Sequence, residues 1–391
     1  MSTSRAATRL QGFGTSVFTE MSVLAVQHEA INLGQGFPDF AGPAFVKEAA
    51  LEAIRSDLNQ YAPSHGLPRL RAAIAADWQA QHGVQVDPEA EITVTSGATE
   101  ALLSTLLAFV DPGDEVLFFE PFYDSYVPQT VFAGGVPRVV TLEPPGWSFD
   151  REALRSAFNA KTRLFLLNTP HNPTGKVFKR EELTFIADLC TEHDVIVLAD
   201  DVYERITFDG VEHIPIATLP GMWERTLTIN STGKTFSMTG WKIGYVTGSP
   251  ELQRALRTIH QFNVFATATP LQHGMAVALE TAARSGYYEE LRGAYQARRD
   301  RLMAILGDSG LPPLPVQGSY FLMSEIAPLG FDDDVDFCRH LVTSVGVAAI
   351  PPSAFYLDPA SGPPLARFCF AKEDATMERA AERLAHLTRK Q

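Results

Sequence analysis

At 391 residues, 45% hydrophobic and 20% charged, the chain has the length and apolar content for a large core and more than one domain. A formal charge of −14 without a lysine or arginine cluster excludes an extended nucleic-acid surface, and no apolar run reaches the ~18 residues that span a bilayer. The three cysteines (Cys190, Cys338, Cys369) are widely spaced and indicate neither a disulfide framework nor a zinc site, and residues 1–10 lack the apolar stretch of a secretory leader, so a cytoplasmic protein is expected.

Residues 1–40 have no evident partner in the core pattern and are expected to form an arm that packs on a later domain or on a neighbouring subunit. From residue 41 to 285, apolar runs of strand length alternate with helical patterns, which predicts an α/β domain whose mostly parallel sheet is covered on both faces. Strands are expected at 91–95, 115–119, 163–167, 195–199, 226–230 and 243–248, with helices at 99–110 and 181–193. After Gly286 the texture changes. A charged helical stretch at 288–305, strand-like runs at 320–323, 347–350 and 367–370, and a helix over 374–388 predict a smaller α+β domain spanning 286–391.

Open parallel sheets bind ligands outside the carboxyl ends of their strands, so the residues after each expected strand carry the functional reading. Ser96-Gly97-Ala98-Thr99-Glu100 places small residues at a helix start, where free N–H groups and the helix dipole suit a phosphate, although they equally make an ordinary capped turn. Glu120-Pro121-Phe122-Tyr123 offers an aromatic face to a flat ring, or else to the core. Asn168-Thr169-Pro170-His171-Asn172-Pro173-Thr174-Gly175 is stiffened by its prolines and fixes the Asn172 amide as a directed donor.

Asp200, Asp201, Val202 and Tyr203 follow the next run. Two carboxylates at the end of an apolar strand need a cation, and without further ligands at metal spacing a cationic heteroaromatic nitrogen suits Asp200 better than a metal. Beyond 226–230 comes Ser231-Thr232-Gly233-Lys234, where apolar surroundings lower the lysine pKa toward a neutral nucleophile able to form a Schiff base. Arg367 is a lone guanidinium in an apolar run, and its fork suits a bound carboxylate or an internal salt bridge alike.

A nucleophilic lysine, a carboxylate for a ring nitrogen, donors for a ring oxygen, a phosphate cradle, a stacking ring and a carboxylate fork are what pyridoxal phosphate chemistry needs. Segments 168–175, 200–203, 231–241 and 367–370 resemble the signature segments of the class I aminotransferases, which are fold type I pyridoxal phosphate enzymes, and the resemblance covers essentially the whole chain. Asn32-Leu33-Gly34-Gln35-Gly36-Phe37-Pro38-Asp39 and Gly318-Ser319-Tyr320-Phe321 are most similar to the kynurenine and methionine aminotransferase branch.

The resemblance implies a large domain with a mostly parallel seven-stranded sheet sandwiched by helices, a small α+β domain, and a homodimer with shared active sites. It implies that Lys234 forms the Schiff base and carries the proton between substrate and cofactor, and that Asp200 keeps the pyridine nitrogen protonated. Asn172 and Tyr203 would bond the ring hydroxyl and Tyr123 would stack on the ring. Gly97, Ala98, Thr99, Ser231 and Lys242, with Tyr61 of the partner subunit, would hold the phosphate. Arg367, Asn172 and Gly36 would bind the substrate carboxylate, with Phe265 and Tyr320 also on the substrate side.

The implied reaction moves the amino group of a medium or large, mostly uncharged α-amino acid (methionine, glutamine, aromatic or kynurenine-like) to a 2-oxo acid by a ping-pong route. The alternatives are N-succinyldiaminopimelate as substrate and β-elimination from cysteine S-conjugates. Two departures bear on the choice. Ser96-Gly97-Ala98-Thr99 stands where kynurenine aminotransferases carry a Gly-Tyr pair, and Ala266 follows Phe265 where they have histidine, which fits methionine-type members better. Residues 345–351 and 353–355 resemble N-succinyldiaminopimelate aminotransferases.

Overall fold

Four consecutive parallel strands are buried on both faces, because helices cover both sides of the sheet they form. The computed structural model describes residues 6–389, so the first five residues of the expected N-terminal arm and the last two of the chain lie outside the described residues. In chain order the strands are β1 (Ile31–Asn32), β2 (Ile92–Thr95), β3 (Glu115–Glu120), β4 (Val136–Thr141), β5 (Thr162–Asn168), β6 (Ile196–Asp200), β7 (Thr226–Ser231), β8 (Gly244–Gly248), β9 (Phe321–Glu325), β10 (Val347–Ala348) and β11 (Leu365–Cys369). Seven of them make one sheet in the order β2-β8-β7-β6-β5-β3-β4.

Alternation along the strands sorts the core into two layers. Val116, Phe118, Leu164, Leu166, Leu198 and Leu227 pack with Leu102, Leu106 and Leu256, from the helices Gly97–Phe109 and Pro250–Asn263. Leu117, Phe119, Phe165, Leu167 and Val197 point the other way, onto Leu183, Ile186 and Leu189 of the helix Arg180–Glu192. A third cluster joins β2 and β8 to the helices Ala44–Arg55, Pro68–His82 and Thr269–Ser285 through Val46, Ile74, Trp78, Val94, Tyr245 and Met275.

Two features were not expected from sequence. β4 is an added edge strand, half-exposed along its length and carrying Pro137, so it lacks the apolar run of its neighbours. β8 runs antiparallel to both β7 and β2, with Gly244 opposite Ser231 on one side and Thr95 on the other. The reversal puts the start of β8 at the same sheet edge as the ends of β2 and β7.

The C-terminal part consists of the helix Tyr287–Asp308, the antiparallel pair β9/β11, and the helix Asp374–Leu384, which stops short of the expected residue 388. The N-terminal segment joins it: β1 pairs in parallel with β10, Ile31 opposite Val347, and the backbone bridge between Ile350 and Arg367 ties this pair to β11. Among the described residues no helix is long and apolar enough to cross a membrane.

Candidate active site

The carboxyl ends of β5, β6 and β7 and the start of β8 deliver Asn168, Asp200, Ser231 and Lys242 to one edge of the sheet, where a cavity of about 340 Å³ opens. Its wall includes Gly36, Gly97, Ala98, Thr99, Tyr123, Asn172, Asp200, Tyr203, Ser231, Lys234, Lys242 and Arg367, all singled out by sequence. Tyr61 and Phe265 are not part of it. They lie on the outer surface, 82% and 47% exposed, with their rings edge to face at 5.1 Å.

At one end of the cavity, Gly97 opens a helix in the left-handed region (φ 75°), and a Cβ there would stand 3.2 Å from Cε of Lys242. Lys242 is itself left-handed (φ 54°), which aims its Nζ at Oγ1 of Thr99, 3.3 Å away. β8 approaches so closely that a Cβ on Gly244 would meet the carbonyl carbon of Gly97 at 2.8 Å. Small residues, exposed N–H groups and an ammonium thus converge at a helix start, a setting for a phosphate-sized anion.

Asp200 sits at the cavity floor. Its Oδ2 accepts from the Tyr126 hydroxyl at 2.6 Å, while Oδ1 is buried without a partner. Burial raises the carboxyl to about 6 with help from the neighbouring Asp201 charge, and the Tyr126 bond opposes the shift. An unpartnered carboxylate oxygen facing a cavity fits a protonated ring nitrogen. The Asn168 amide donates to the Asp200 carbonyl at 2.6 Å and its oxygen accepts from the Asn172 N–H at 2.7 Å, so one side chain fixes both the β6 end and the proline-rich loop.

Lys234 lies in a single helical turn, Thr232–Thr235, whose Thr232 hydroxyl is anchored to the Ile243 carbonyl at 2.8 Å. Its Nζ donates to the Tyr320 hydroxyl at 3.0 Å, and that hydroxyl donates to the Gly36 carbonyl at 2.7 Å. Tyr320 therefore holds the lysine rather than facing the open cavity. Burial lowers the Lys234 pKa to about 8, and the Asp200 charge opposes the fall.

Arg367 is 1% exposed, with Nη1 donating to Oδ1 of Asn172 at 3.2 Å and Nη2 to the Gly34 carbonyl at 2.9 Å. Rings of Phe321, Phe18 and Phe355 surround it at 4.2, 4.9 and 5.1 Å. Nε is buried without a partner, and no carboxylate pairs with the guanidinium, so the internal salt bridge that the sequence left open does not form among the described residues. Burial lowers its pKa to about 10. A guanidinium kept charged in such a place calls for an incoming anion.

Sequence reasoning missed Tyr126, Asp124, Phe18 and Phe37. Tyr126 follows Tyr123 by one short turn, and a hydroxyl so near the aromatic segment was the available signal. Asp124 is the next residue after Tyr123 and lines the same wall. Phe18 and Phe37 come from the N-terminal segment, whose docking beside the sheet edge no local pattern announces.

The family model for class I and II aminotransferases matches residues 28–384. The chain is 45% identical to the probable N-succinyldiaminopimelate aminotransferase DapC of Mycobacterium tuberculosis, over 97% of this chain and 98% of that protein. It is 41% identical to human kynurenine–oxoglutarate transaminase 1, over 97% of each. The solved structure of YbdL from Escherichia coli, identified as having a methionine aminotransferase function, superposes with a TM-score of 0.94 at 40% identity, covering 98% of this chain and all of that one (100%).

Proposed function

Since the chain belongs to the class I and II aminotransferases, and is thereby a pyridoxal phosphate-dependent enzyme acting on amino and 2-oxo acids, we propose a role for each cavity residue and a substrate preference. The observation that carries the assignment is the pair of unmet ionic groups, Asp200 Oδ1 and the Arg367 guanidinium, in one cavity with Lys234. When bound, pyridoxal phosphate supplies an aldehyde carbon that takes up the amino group and a ring that withdraws electrons from the substrate α-carbon.

Around it, Asp200 would keep a proton on the ring nitrogen, and Tyr126 would hold Asp200 in place. Asn172 and Tyr203 would bond the ring oxygen, and Tyr123 would lie against the ring face. The N–H groups of Gly97, Ala98 and Thr99, with Ser231 and Lys242, would hold the phosphate. Arg367 would take the substrate carboxylate in its fork, with Asn172 and the Gly36 backbone fixing the angle. Lys234, poised near neutrality, would accept and return the α-proton.

The preferred donor is a medium or large uncharged amino acid. The supporting feature is the wall beyond Arg367, where Phe18, Phe37, Leu102 and Phe321 supply apolar surface. We further assign residues 41–285 to the cofactor-binding domain, 286–391 to a small domain, and 1–40 to an arm joined to the latter, a division supported by the β1/β10 pair. The working unit is a cytoplasmic homodimer. Exposed Leu51, Ile54, Leu58, Tyr61, Phe262 and Phe265 support an interface there, with Tyr61 completing the phosphate site of the other subunit, and three buried free thiols support a reducing compartment.

The test is the absorption spectrum of the purified holoenzyme after single additions of methionine, glutamine, phenylalanine, kynurenine and N-succinyldiaminopimelate without oxo acid. Conversion by the uncharged donors, abolished in Lys234→Ala, is expected. Conversion by N-succinyldiaminopimelate alone would move the assignment to that substrate, and pyruvate released from a cysteine conjugate without acceptor would mark β-elimination.

A further inference from the structure

Resting on the transaminase function proposed above, we propose that His260 is a positioning residue for the cofactor phosphate, a buried imidazolium that braces both the phosphate cradle of its own subunit and the loop that carries Tyr61. It lies outside the cavity wall, in the last turn of the helix Pro250–Asn263, and is 0% exposed. Its Nδ1 meets a carboxylate oxygen of Glu100 at 3.2 Å, and its Nε2 meets the Ser64 carbonyl at 2.8 Å. Both neighbours are acceptors. A neutral imidazole has one N–H and would set a lone pair against one of them, so the ring that satisfies both is the doubly protonated one.

Each acceptor belongs to a segment assigned above to a phosphate. The other oxygen of Glu100 accepts the Ser96 N–H at 3.0 Å, immediately before Gly97, Ala98 and Thr99. Ser64 follows Tyr61 by three residues, and the His260 carbonyl accepts at 3.0 Å from the N–H of Phe265, whose ring packs on Tyr61. Loss of one ring proton breaks one of the two side-chain links and releases either the cradle or the Tyr61 loop.

Burial works against the charge on His260, but the Glu100 carboxylate outweighs it with help from the Ser64 carbonyl, so the ring pKa stands above 6.5 even though Arg257 of the same helix opposes. Arg257 is itself directed to the Thr93 hydroxyl and to the Glu89 and Ile92 carbonyls, and His65, beside Ser64, faces Glu89 at 3.5 Å. The brace is therefore complete below pH 6.5 and is lost as pH rises through the raised value of the folded protein.

The experiment follows the His260 ring by nitrogen NMR of histidine-labelled holoenzyme across neutral and alkaline pH. Alongside, it measures the dissociation constant of pyridoxal phosphate on dilution and the phosphorus resonance of the bound phosphate. Two ring N–H groups are expected at neutral pH. His260→Gln should weaken cofactor retention by about tenfold, the scale of one charge-assisted hydrogen bond, and shift the phosphorus resonance. That gap to the wild type should close at higher pH in step with the titration of the ring, which a purely structural loss would not do. Glu100→Gln should lower the pH at which His260 loses its proton, and it carries the same comparison if His260→Gln does not fold. A single ring N–H at neutral pH overturns the proposal, as does a gap that ignores the titration, or equal retention in wild type and variants. A protein that takes up no pyridoxal phosphate sinks the transaminase function instead, whereas uptake that is alike in wild type and variants leaves that function standing and overturns only the role of His260.

Discussion

Replacing Lys234 with methionine should yield a dead enzyme whose cofactor-free form is more stable than the wild type near neutral pH. Burial lowers the lysine pKa from 10.5 to about 8, a fall that corresponds to about 3 kcal/mol of unfavourable energy in the charged form. Methionine keeps the stem and removes the ammonium. It also loses the 3.0 Å bond to Tyr320, worth about 1 kcal/mol, but Tyr320 still donates to Gly36 and no donor is left orphaned. The net gain is about 2 kcal/mol. Between about pH 8 and 10.5 the native lysine is neutral while the unfolded one is still charged, so the native state binds fewer protons and wild-type stability rises with pH. The advantage of the variant is therefore full below pH 8 and gone above about 10.5. Urea unfolding of both cofactor-free proteins at pH 7 and pH 10 measures it. A variant no more stable at pH 7, or an advantage that does not shrink at pH 10, would refute the view that Lys234 is held at an energetic disadvantage for the sake of its chemistry.

Tyr126→Phe removes the 2.6 Å donor to Asp200 and should weaken cofactor retention by roughly tenfold, read as the dissociation constant from spectral titration; an unchanged constant would leave Tyr126 a packing residue. Arg367→Lys loses the fork and should lower kcat/KM for amino acids by about 100-fold with the cofactor absorption unaltered, since the lysine cannot reach both Asn172 and Gly34. Gly244→Ala forces a methyl to within 2.8 Å of the Gly97 backbone and should displace the phosphate cradle, seen as loss of bound cofactor before loss of secondary structure. Arg205→Leu leaves the buried Asp77 carboxylate without its cation and with only the Tyr288 hydroxyl as donor, and should lower stability by about 3 kcal/mol in denaturant unfolding.

The parts of the fold legible in the sequence are those where burial on both faces leaves its mark. β3, β5, β6 and β7 read as apolar runs because helices cover them, whereas β4 at the edge alternates and hides among loops. Strand direction is not written in composition, and Lys242 shows the effect: it precedes its strand, yet the antiparallel course of β8 carries it to the same edge as residues that follow theirs. Within the site, Lys234, Asp200, Asn172 and Arg367 could be found because ionic or amide groups beside apolar runs demand partners. Phe18 could not, and Tyr126 carried only the weak signal of its nearness to Tyr123, since a tyrosine or phenylalanine in a helix reads as core until the tertiary contact with Asp200 or Arg367 is known. The role of Tyr320 shifted for the same reason: its hydroxyl meets Lys234 only after segments far apart in the chain have come together.

The pairing of Ile31 with Val347 sets an order of events in the cell. At a synthesis rate of roughly 5–20 residues per second, the N-terminal segment leaves the ribosome some 15–60 s before its partner strand exists. Throughout that interval the apolar side of the helix Val17–Gln27, together with Leu33, has no surface to close against, so it is a natural client for a chaperone that shields nascent chains. Cofactor loading is likewise a post-translational event, because the wall formed by Gly36, Phe321 and Arg367 is complete only once nearly the whole polypeptide has been made.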